Sequence, residues 1–206
     1  RLLQQRNRLL KDGFCDDALL DAYDAKMSPL AAKITDARAS FVGGLAPAVQ
    51  EFYRNLSGGQ DSVEMEYCRA EKDLTELLRA CRERDRILKY TTEGPHRDDF
   101  LFSLNGLPLR RCGSQGQQKS FLVSLKFAQY EIMKRQYGFA PILLLDDLFD
   151  KLDMNRVGNL LKMVAGNDFG QIFLTDSNKI RLAGIVDALT DDRSYYDAER
   201  GVFTKI

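Results

Sequence analysis

The chain has 206 residues, of which 44% are hydrophobic and 29% charged, and it contains no apolar run long enough to span a bilayer. Its 30 basic residues balance 30 acidic ones, so no overall positive field indicates a nucleic-acid partner, although a local basic face is still allowed. The four cysteines have no paired spacing and a single histidine beside them. This argues against a zinc site or a disulfide framework and favours a reducing, cytoplasmic compartment.

The first 56 residues are predicted to be helical. Ser28-Pro29 predicts a helix start, because serine is a good N-cap and the missing N–H of proline costs nothing at the first helical position. Apolar residues then recur at helical spacing, at Leu30, Ile34, Ala37 and Phe41, and Gly43-Gly44 is expected to bend or end the helix. A narrow apolar stripe on long helices favours an arm over a compact core.

The middle of the chain predicts strands and one helix. Residues 63–67 alternate between apolar and acidic side chains, which is typical of a strand with one wet face. A helix is predicted over 73–86. Two further strands are predicted, at 86–93 ("RILKYTTE") and 100–106 ("FLFSLNG"), the second of which ends in the hairpin signal Asn105-Gly106.

The C-terminal part alternates helix and strand. A helix is predicted over 116–136, followed by a continuously apolar strand, "PILLLDD" (141–147), of the kind that is buried on both sides of a parallel sheet. A helix over 154–165, the strand "QIFLTD" (171–176) and a helix over 178–189 complete the pattern. This order predicts an α/β architecture.

Two stretches look like the signature of an ABC-type ATPase. Such a signature binds phosphate because unpaired N–H groups and the helix dipole favour an anion at the start of a helix. "LSGGQ" at 56–60 instead ends a predicted helix and runs into a strand, where its glycines suit a C-cap and turn. "GSQGQQKS" at 113–120 directly precedes a helix, with Ser114 as N-cap and Gly116 allowing close approach of the backbone. We therefore predict that 113–120 is the signature and 56–60 a turn.

Four motifs together resemble the RecF family of DNA replication and repair proteins, which are ABC-type ATPases related to SMC proteins. They are "GPHRDD" (94–99), "GSQGQQKSFLVSLKFAQ" (113–129), "ILLLDDLFDKLDMNRV" (142–157) and "QIFLTDS" (171–177). The resemblance implies the C-terminal part of a longer protein. It would comprise a helical arm over 1–60, a connection over 61–88 and the second half of an ABC-type head over 89–206. No GxxxxGK[ST] phosphate loop occurs in the sequence, so the chain by itself is expected to carry half of a composite site and no activity.

The resemblance also implies ATP and Mg²⁺ bound between the two heads of an ATP-dependent homodimer. Residues carried over by motif as nucleotide contacts are Ser114, Gln115, Gly116, Gln117, Lys119, Asp153 in the D-loop, and Asp176 at the switch position. Asp146 would hold Mg²⁺ through water, and Asp147 would polarise the attacking water. Gln115 replaces a consensus glycine, Asp150 and Lys151 depart from the usual D-loop, and Asp176 replaces the switch histidine.

For the whole protein, the resemblance implies ATP-driven binding of gapped or junction DNA in recombinational repair, replication restart and the SOS response. RecR is the expected partner, with RecO in the same pathway, and no membrane is involved. The alternatives are a head of another SMC-like or ABC ATPase, or a non-catalytic interaction fragment.

Several basic residues are candidates for contacts with DNA. Arg110 and Arg111 precede the signature and are candidate DNA or dimer contacts. The basic residues between 82 and 89 alternate with acidic ones and favour a solvated helix face. His96 could act in the ATPase cycle or on DNA, or could belong to a polar network that locks the arm to the head, which is the interpretation favoured.

Overall fold

A computed structural model describes residues 1–13, 16–70, 72–146, 152–166, 169–177 and 179–206, with residues 179–181 described by their backbone only. The chain divides into two compact units, and unit 1 comprises Arg1–Pro47 and Glu64–Leu109. Unit 2 comprises Ala48–Val63 and Arg110–Ile206. These limits differ from the predicted boundaries at 60 and 88, which stay predictions. Among the helices that the structure describes, none is long and apolar enough to cross a membrane.

Unit 1 is mainly helical with a small sheet. Its elements are α1 (Leu2–Asp12), the first part of α2 (Asp17–Ser57), β1 (Val63–Cys68), α3 (Leu74–Ala80), α4 (Arg82–Leu88), β2 (Asp99–Leu104) and β3 (Leu107–Pro108). The sheet has the order β1-β2-β3. Asn105 and Gly106 have φ angles of 51° and 78°, which are the positive values that a tight two-residue hairpin requires. The predicted first strand and hairpin are therefore confirmed.

Helix α2 is continuous, and the helix start predicted at Ser28-Pro29 is wrong. Pro29 lies inside the helix, and α2 also runs through Gly43-Gly44 without ending. The reason is tertiary packing, because Met27 and Ala31, on either side of Pro29, lie in one buried cluster with residues of α3. Ser28 does not cap α2; its hydroxyl donates to Asp73 Oδ2 at 3.0 Å. Asp73 in turn is the N-cap of α3.

The apolar stripe predicted on α2 lies on its exposed side. Leu30, Ile34 and Phe41 are all exposed. The residues of α2 that are buried within unit 1 follow a second, offset stripe made up of Leu20, Asp24, Met27, Ala31, Val42 and Leu45. Periodicity alone located a helix correctly but chose the wrong face, since the true inner face contains a charged aspartate.

A buried ion-pair network explains why 86–93 is not the predicted strand. Arg6 is 0% exposed; its Nε donates to Asp24 Oδ1 at 2.8 Å and its NH1 to Asp85 Oδ2 at 2.7 Å. Arg82 also donates to Asp24, at 3.1 Å. Because Arg82 and Asp85 are three residues apart, only a helix turns both towards this network. The segment accordingly forms α4, which ends at Leu88.

Unit 2 alternates helices and strands as predicted. After α5 (Leu109–Cys112), which begins at the last residue of unit 1, its elements are α6 (Gln115–Tyr137), β4 (Leu143–Asp146), α7 (Met154–Val164), β5 (Ile172–Thr175), α8 (Lys179–Val186), β6 (Tyr196–Glu199) and β7 (Val202–Lys205). Strands β4 and β5 are parallel and place Asp146 opposite Thr175. The hairpin of β6 and β7 was not predicted.

The core of unit 2 lies between its helices and one face of the β4–β5 pair. Phe127 and Tyr130 of α6 both pack against Phe169, with ring centroids 5.3 and 4.8 Å apart. Leu145 is buried, whereas Leu144, on the opposite face of β4, is 71% exposed. The prediction that this strand is buried on both sides is therefore wrong for the part of the chain that the structure describes.

Candidate functional site

The stretch "LSGGQ" at 56–60 forms the C-terminal end of a helix. Helix α2 ends at Ser57, and Gly58 and Gly59 follow with φ angles of 69° and 80°. The N–H of Gly59 donates to the carbonyl of Arg54 at 2.9 Å, which closes the last turn. Ser57 is only 7% exposed. The predicted turn is confirmed, and this helix end presents carbonyl groups, which disfavour an anion.

The stretch "GSQGQQKS" at 113–120 forms the start of α6. Ser114 is the N-cap, and its Oγ accepts a hydrogen bond from the N–H of Gln117 at 3.2 Å. In return, the N–H of Ser114 donates to Gln117 Oε1 at 2.9 Å, so the two residues form a reciprocal capping box. The predicted N-cap is therefore confirmed, and its partner Gln117 is a contact that was not predicted.

The start of α6 has the polarity that an anion needs. The first N–H groups of a helix, here those of Gln115 and Gly116, have no partner within the helix, and the dipole places partial positive charge beside them. Ser114 and Gln115 are exposed, whereas Gly116, Gln117 and Lys119 are partly buried. A phosphate oxygen approaching this end would meet two N–H groups and a hydroxyl, while a phosphate contact from Lys119 stays a prediction.

Asp61 joins the start of α6 to the start of α7. One oxygen, Asp61 Oδ2, accepts from Gln117 Nε2 at 3.0 Å and lies 3.8 Å from the NH2 of Arg156. The hydroxyl of Tyr53 donates to the same oxygen at 3.5 Å. Burial, together with the negative charge of Asp61, raises the pKa of Tyr53 to about 12. Sequence analysis missed Asp61, because nothing near it in the chain indicates its partners.

Asp153 caps the helix that follows the D-loop. Its Oδ1 accepts from the N–H of Arg156 at 2.9 Å, and its Oδ2 lies 3.5 Å from Arg156 Nε. One guanidinium group therefore faces both Asp61 and Asp153. Asp153 keeps 56% of its side chain exposed, so its carboxylate can still meet another molecule.

The ends of β4 and β5 carry the predicted metal site. Asp146 is exposed and accepts a hydrogen bond from the hydroxyl of Thr175, and Asp176 follows directly after β5 and is half-buried. The described part of the chain contains no group of three or more side chains that could hold a metal ion. One carboxylate beside a hydroxyl still fits Mg²⁺, which keeps most of its waters when phosphate oxygens share the site. Asp147, Asp150 and Lys151 lie outside the described residues.

The "GPHRDD" stretch makes contacts within unit 1. His96 Nε2 lies 3.1 Å from the carbonyl oxygen of Thr91. Arg38 of α2 donates to the carbonyl of Pro95 at 2.5 Å, and its guanidinium is 3.6 Å from Asp98. These contacts support the structural role favoured for this stretch.

The basic residues of unit 1 and α5 differ in how they are used. Arg82 is buried and Arg86 half-buried, and both pair with Asp17, so the solvated face predicted for this run is wrong for Arg82. Both guanidinium groups are engaged by carboxylates and are poorly placed to meet phosphates. Arg110 and Arg111 of α5, in contrast, are exposed, and their DNA contact stays a prediction.

Curated proteins similar to this chain carry the name DNA replication and repair protein RecF. The protein of Porphyromonas gingivalis is 40% identical over 204 residues, that of Parabacteroides distasonis 39% over 203, and that of Bacteroides thetaiotaomicron 37% over 209. These matches cover 98–100% of this chain but only 56–57% of each relative. The chain thus spans a little more than half the length of the curated relatives it matches. No protein-family model matches it.

Solved structures give the same answer. Two structures of the recombination mediator protein RecF in the RecFOR pathway, RecF-ATPrS and RecF-ATP, match with TM-scores of 0.76 and 0.75 at 27% and 25% identity. Each match covers 100% of this chain and 56% of the solved one. An SMC ATPase and the Smc head domain of Pyrococcus furiosus match with TM-scores of 0.51 at 15% and 12% identity. They cover 84% and 92% of this chain and 88% and 41% of the solved ones, and show the fold alone. The predicted fold class, an α/β ATPase head with a long N-terminal helix, is confirmed.

Proposed function

This chain belongs to the RecF family, and we propose that it supplies the signature half of an ATP site in a DNA-repair ATPase. In this proposal two copies of the full-length protein close around ATP and Mg²⁺, and the closed dimer binds gapped or junction DNA during recombinational repair and replication restart. Opening of the dimer follows ATP hydrolysis. The proposal rests on sequence identity of up to 40% with curated RecF proteins together with the geometry of the site.

The observation that carries this proposal is the open, capped start of α6. Ser114 is exposed and held as N-cap, so its hydroxyl and the neighbouring N–H groups face solvent in a fixed arrangement. In a composite site these groups contact the γ-phosphate of the ATP that the partner copy binds. Catalysis of phosphoryl transfer consists mostly of such positioning and charge stabilisation. The phosphate loop, absent from these 206 residues, would come from the remainder of a full-length protein.

The remaining roles follow from position. Asp146, at the carboxyl end of β4, would hold Mg²⁺ through water, and the metal would neutralise charge on the phosphates. Asp147 would polarise the attacking water. Asp153, exposed at the start of α7, would cross towards the second site of the dimer, and Asp176 would sense the γ-phosphate.

The DNA and protein partners belong to the same proposal. The exposed pair Arg110 and Arg111 is the best candidate for phosphate contacts with DNA, because the arginines of α4 are paired internally. RecR is the proposed protein partner, with RecO in the same pathway, and the cytoplasm is the proposed compartment. The three cysteines in the described residues are free, in keeping with a reducing environment.

The experiment that tests the proposal measures ATP turnover and oligomeric state of a full-length protein carrying this chain, with and without gapped DNA. We expect ATP to convert monomer to dimer, and gapped DNA to raise the turnover rate. A protein that stays monomeric with ATP and turns none over, although it binds DNA, would contradict the proposal and favour a non-catalytic interaction module.

A further inference from the structure

Asp61 lies at the centre of the polar contacts between the two helix starts of the proposed site. Its side chain is 13% exposed, and that of Arg156 is 14% exposed, so this pair is largely shielded from water. Shielding strengthens the attraction between the charges and also makes an unpaired carboxylate costly. Asp61 is therefore held firmly by its partners.

The side-chain amide of Gln117 is used at both ends. Its oxygen accepts from the N–H of Ser114 at 2.9 Å, while its nitrogen donates to Asp61 at 3.0 Å. A capping box accepts either glutamine or glutamate at this position. Only glutamine can also donate a hydrogen bond to a carboxylate, so the presence of Asp61 explains the choice of amide.

Arg156 connects the same carboxylate to the second helix. The guanidinium reaches Asp61 at 3.8 Å and Asp153, the N-cap of α7, at 3.5 Å. A path of side-chain contacts therefore runs from the N-cap of α6 through Asp61 to the N-cap of α7. The segment that supplies Asp61 is the loop after the "LSGGQ" turn, which has no contact with phosphate in our proposal.

We propose that Asp61 is a positioning residue that holds the start of α6 and the start of α7 in one arrangement. The inference rests on the proposed function, because those two helix starts carry Ser114 and Asp153. When the partner's γ-phosphate binds at the start of α6, the clamp transmits that fixed position to the start of α7. The turn at 56–60 thus serves to place Asp61.

The test exchanges the two members of the hydrogen bond. Gln117→Glu keeps the capping box but sets a carboxylate against Asp61. In Asp61→Asn/Gln117→Glu the amide at 61 donates to the carboxylate at 117, and the hydrogen bond returns with reversed polarity and unchanged net charge. Gln118→Glu is the matched control, because it adds the same charge at the next helix position, which is exposed and donates to the carbonyl of Gly113.

In the full-length protein, Gln117→Glu should lower kcat for ATP about tenfold, the scale expected when catalytic groups are held loosely. The KM for ATP should change less than about twofold, since ground-state binding is spared. The double variant should recover most of the lost kcat, and Gln118→Glu should stay near the parent value. A merely structural defect would lower thermal stability and kcat together, with no rescue in the exchanged pair.

Hydrogen exchange on the same proteins separates failure of this inference from failure of the proposed function. Protection of the N–H groups of Gln117 and Arg156, at the starts of α6 and α7, should fall together in Gln117→Glu and return together in the double variant. Independent protection at the two helix starts, or full kcat in Gln117→Glu, would overturn the role of Asp61. A parent protein without ATP turnover but with coupled protection would instead overturn only the proposed function.

Discussion

The stretches at 56–60 and 113–120 have similar residues but lie at opposite ends of helices. In "LSGGQ" two glycines with positive φ terminate α2, and the serine is buried. In "GSQGQQKS" the serine is exposed as the N-cap of α6 and is held by Gln117. The first stretch matches the ABC signature letter for letter, yet only the second presents N–H groups. The direction of the helix, and not the motif, therefore decides which stretch can bind a phosphate.

The comparison is broken most directly by blocking each stretch with the same side chain. In a full-length protein, Ser114→Arg should weaken ATP-dependent dimerisation by about 100-fold or more, because the long side chain fills the space before the helix start. The control is Gln60→Arg, which changes the exposed last residue of "LSGGQ" and should leave dimerisation near normal. Ser57 is less suitable as a control, since it is buried. Light scattering with and without ATP measures both variants, and a stronger effect at 60 than at 114 would reverse the assignment.

A second prediction sharpens the comparison through the strand that ends beside the proposed phosphate. Asp147→Asn should lower turnover about 100-fold while prolonging the dimer, because the amide removes the charge that polarises water but keeps the shape. Asp146→Asn should instead lower ATP affinity, since it removes a charge facing Mg²⁺. Turnover, dimer lifetime and ATP affinity of both variants decide the roles. Equal losses of affinity would show that the two carboxylates do not divide the work.

A third prediction concerns a titratable group at the end of α2. The pKa of Tyr53 is raised to about 12, so this phenol stays neutral in the folded chain at pH values where it ionises in the unfolded one. The folded state then binds more protons, and the free energy of unfolding falls as pH rises from about 10 to 12, by about 2 kcal/mol in all. Tyr53→Phe should remove this part of the pH dependence. Urea unfolding across that range measures it, and equal slopes in parent and variant would refute the cause.

The smallest predicted effects compare the two helix ends as structural caps. Ser114→Ala should cost about 1 kcal/mol through loss of the N-cap bond, and Gly59→Ala a similar amount because its φ is 80°. Gly43→Ala is the control and should stabilise by about 0.5–1 kcal/mol, since Gly43 lies inside α2 and an added Cβ meets nothing within 4 Å. Urea unfolding of each variant gives the values. Similar costs at 59 and 114 would show that the two ends differ in ligand binding and not in stability.

Elements specified by nearby residues were predictable from the sequence. The start of α6 depends on contacts between Ser114 and Gln117, three positions apart, and the β2–β3 hairpin depends on Asn105-Gly106. The parallel strand β4 and its neighbour β5 followed from their apolar runs. In these places local propensity and tertiary structure agree.

Elements specified by distant partners were not predictable. The helical state of α4 depends on Arg6, whose partner Asp85 is 79 positions away, and the continuity of α2 across Pro29 depends on packing against α3. Asp61 and Gln117 are 56 positions apart. Because no pattern within a short window records such pairs, the sequence located the helix start at 114 but not the side chain that holds it.

The most direct test of the account is a structure of the full-length protein as a dimer with a non-hydrolysable ATP analogue. Our account predicts that Ser114 Oγ and the N–H groups of Gln115 and Gly116 lie within hydrogen-bond distance, roughly 3 Å, of the γ-phosphate bound by the partner copy. The turn at 58–60 should make no phosphate contact. A γ-phosphate held by the N–H groups of Gly58 and Gly59, with the start of α6 facing solvent, would contradict the central claim.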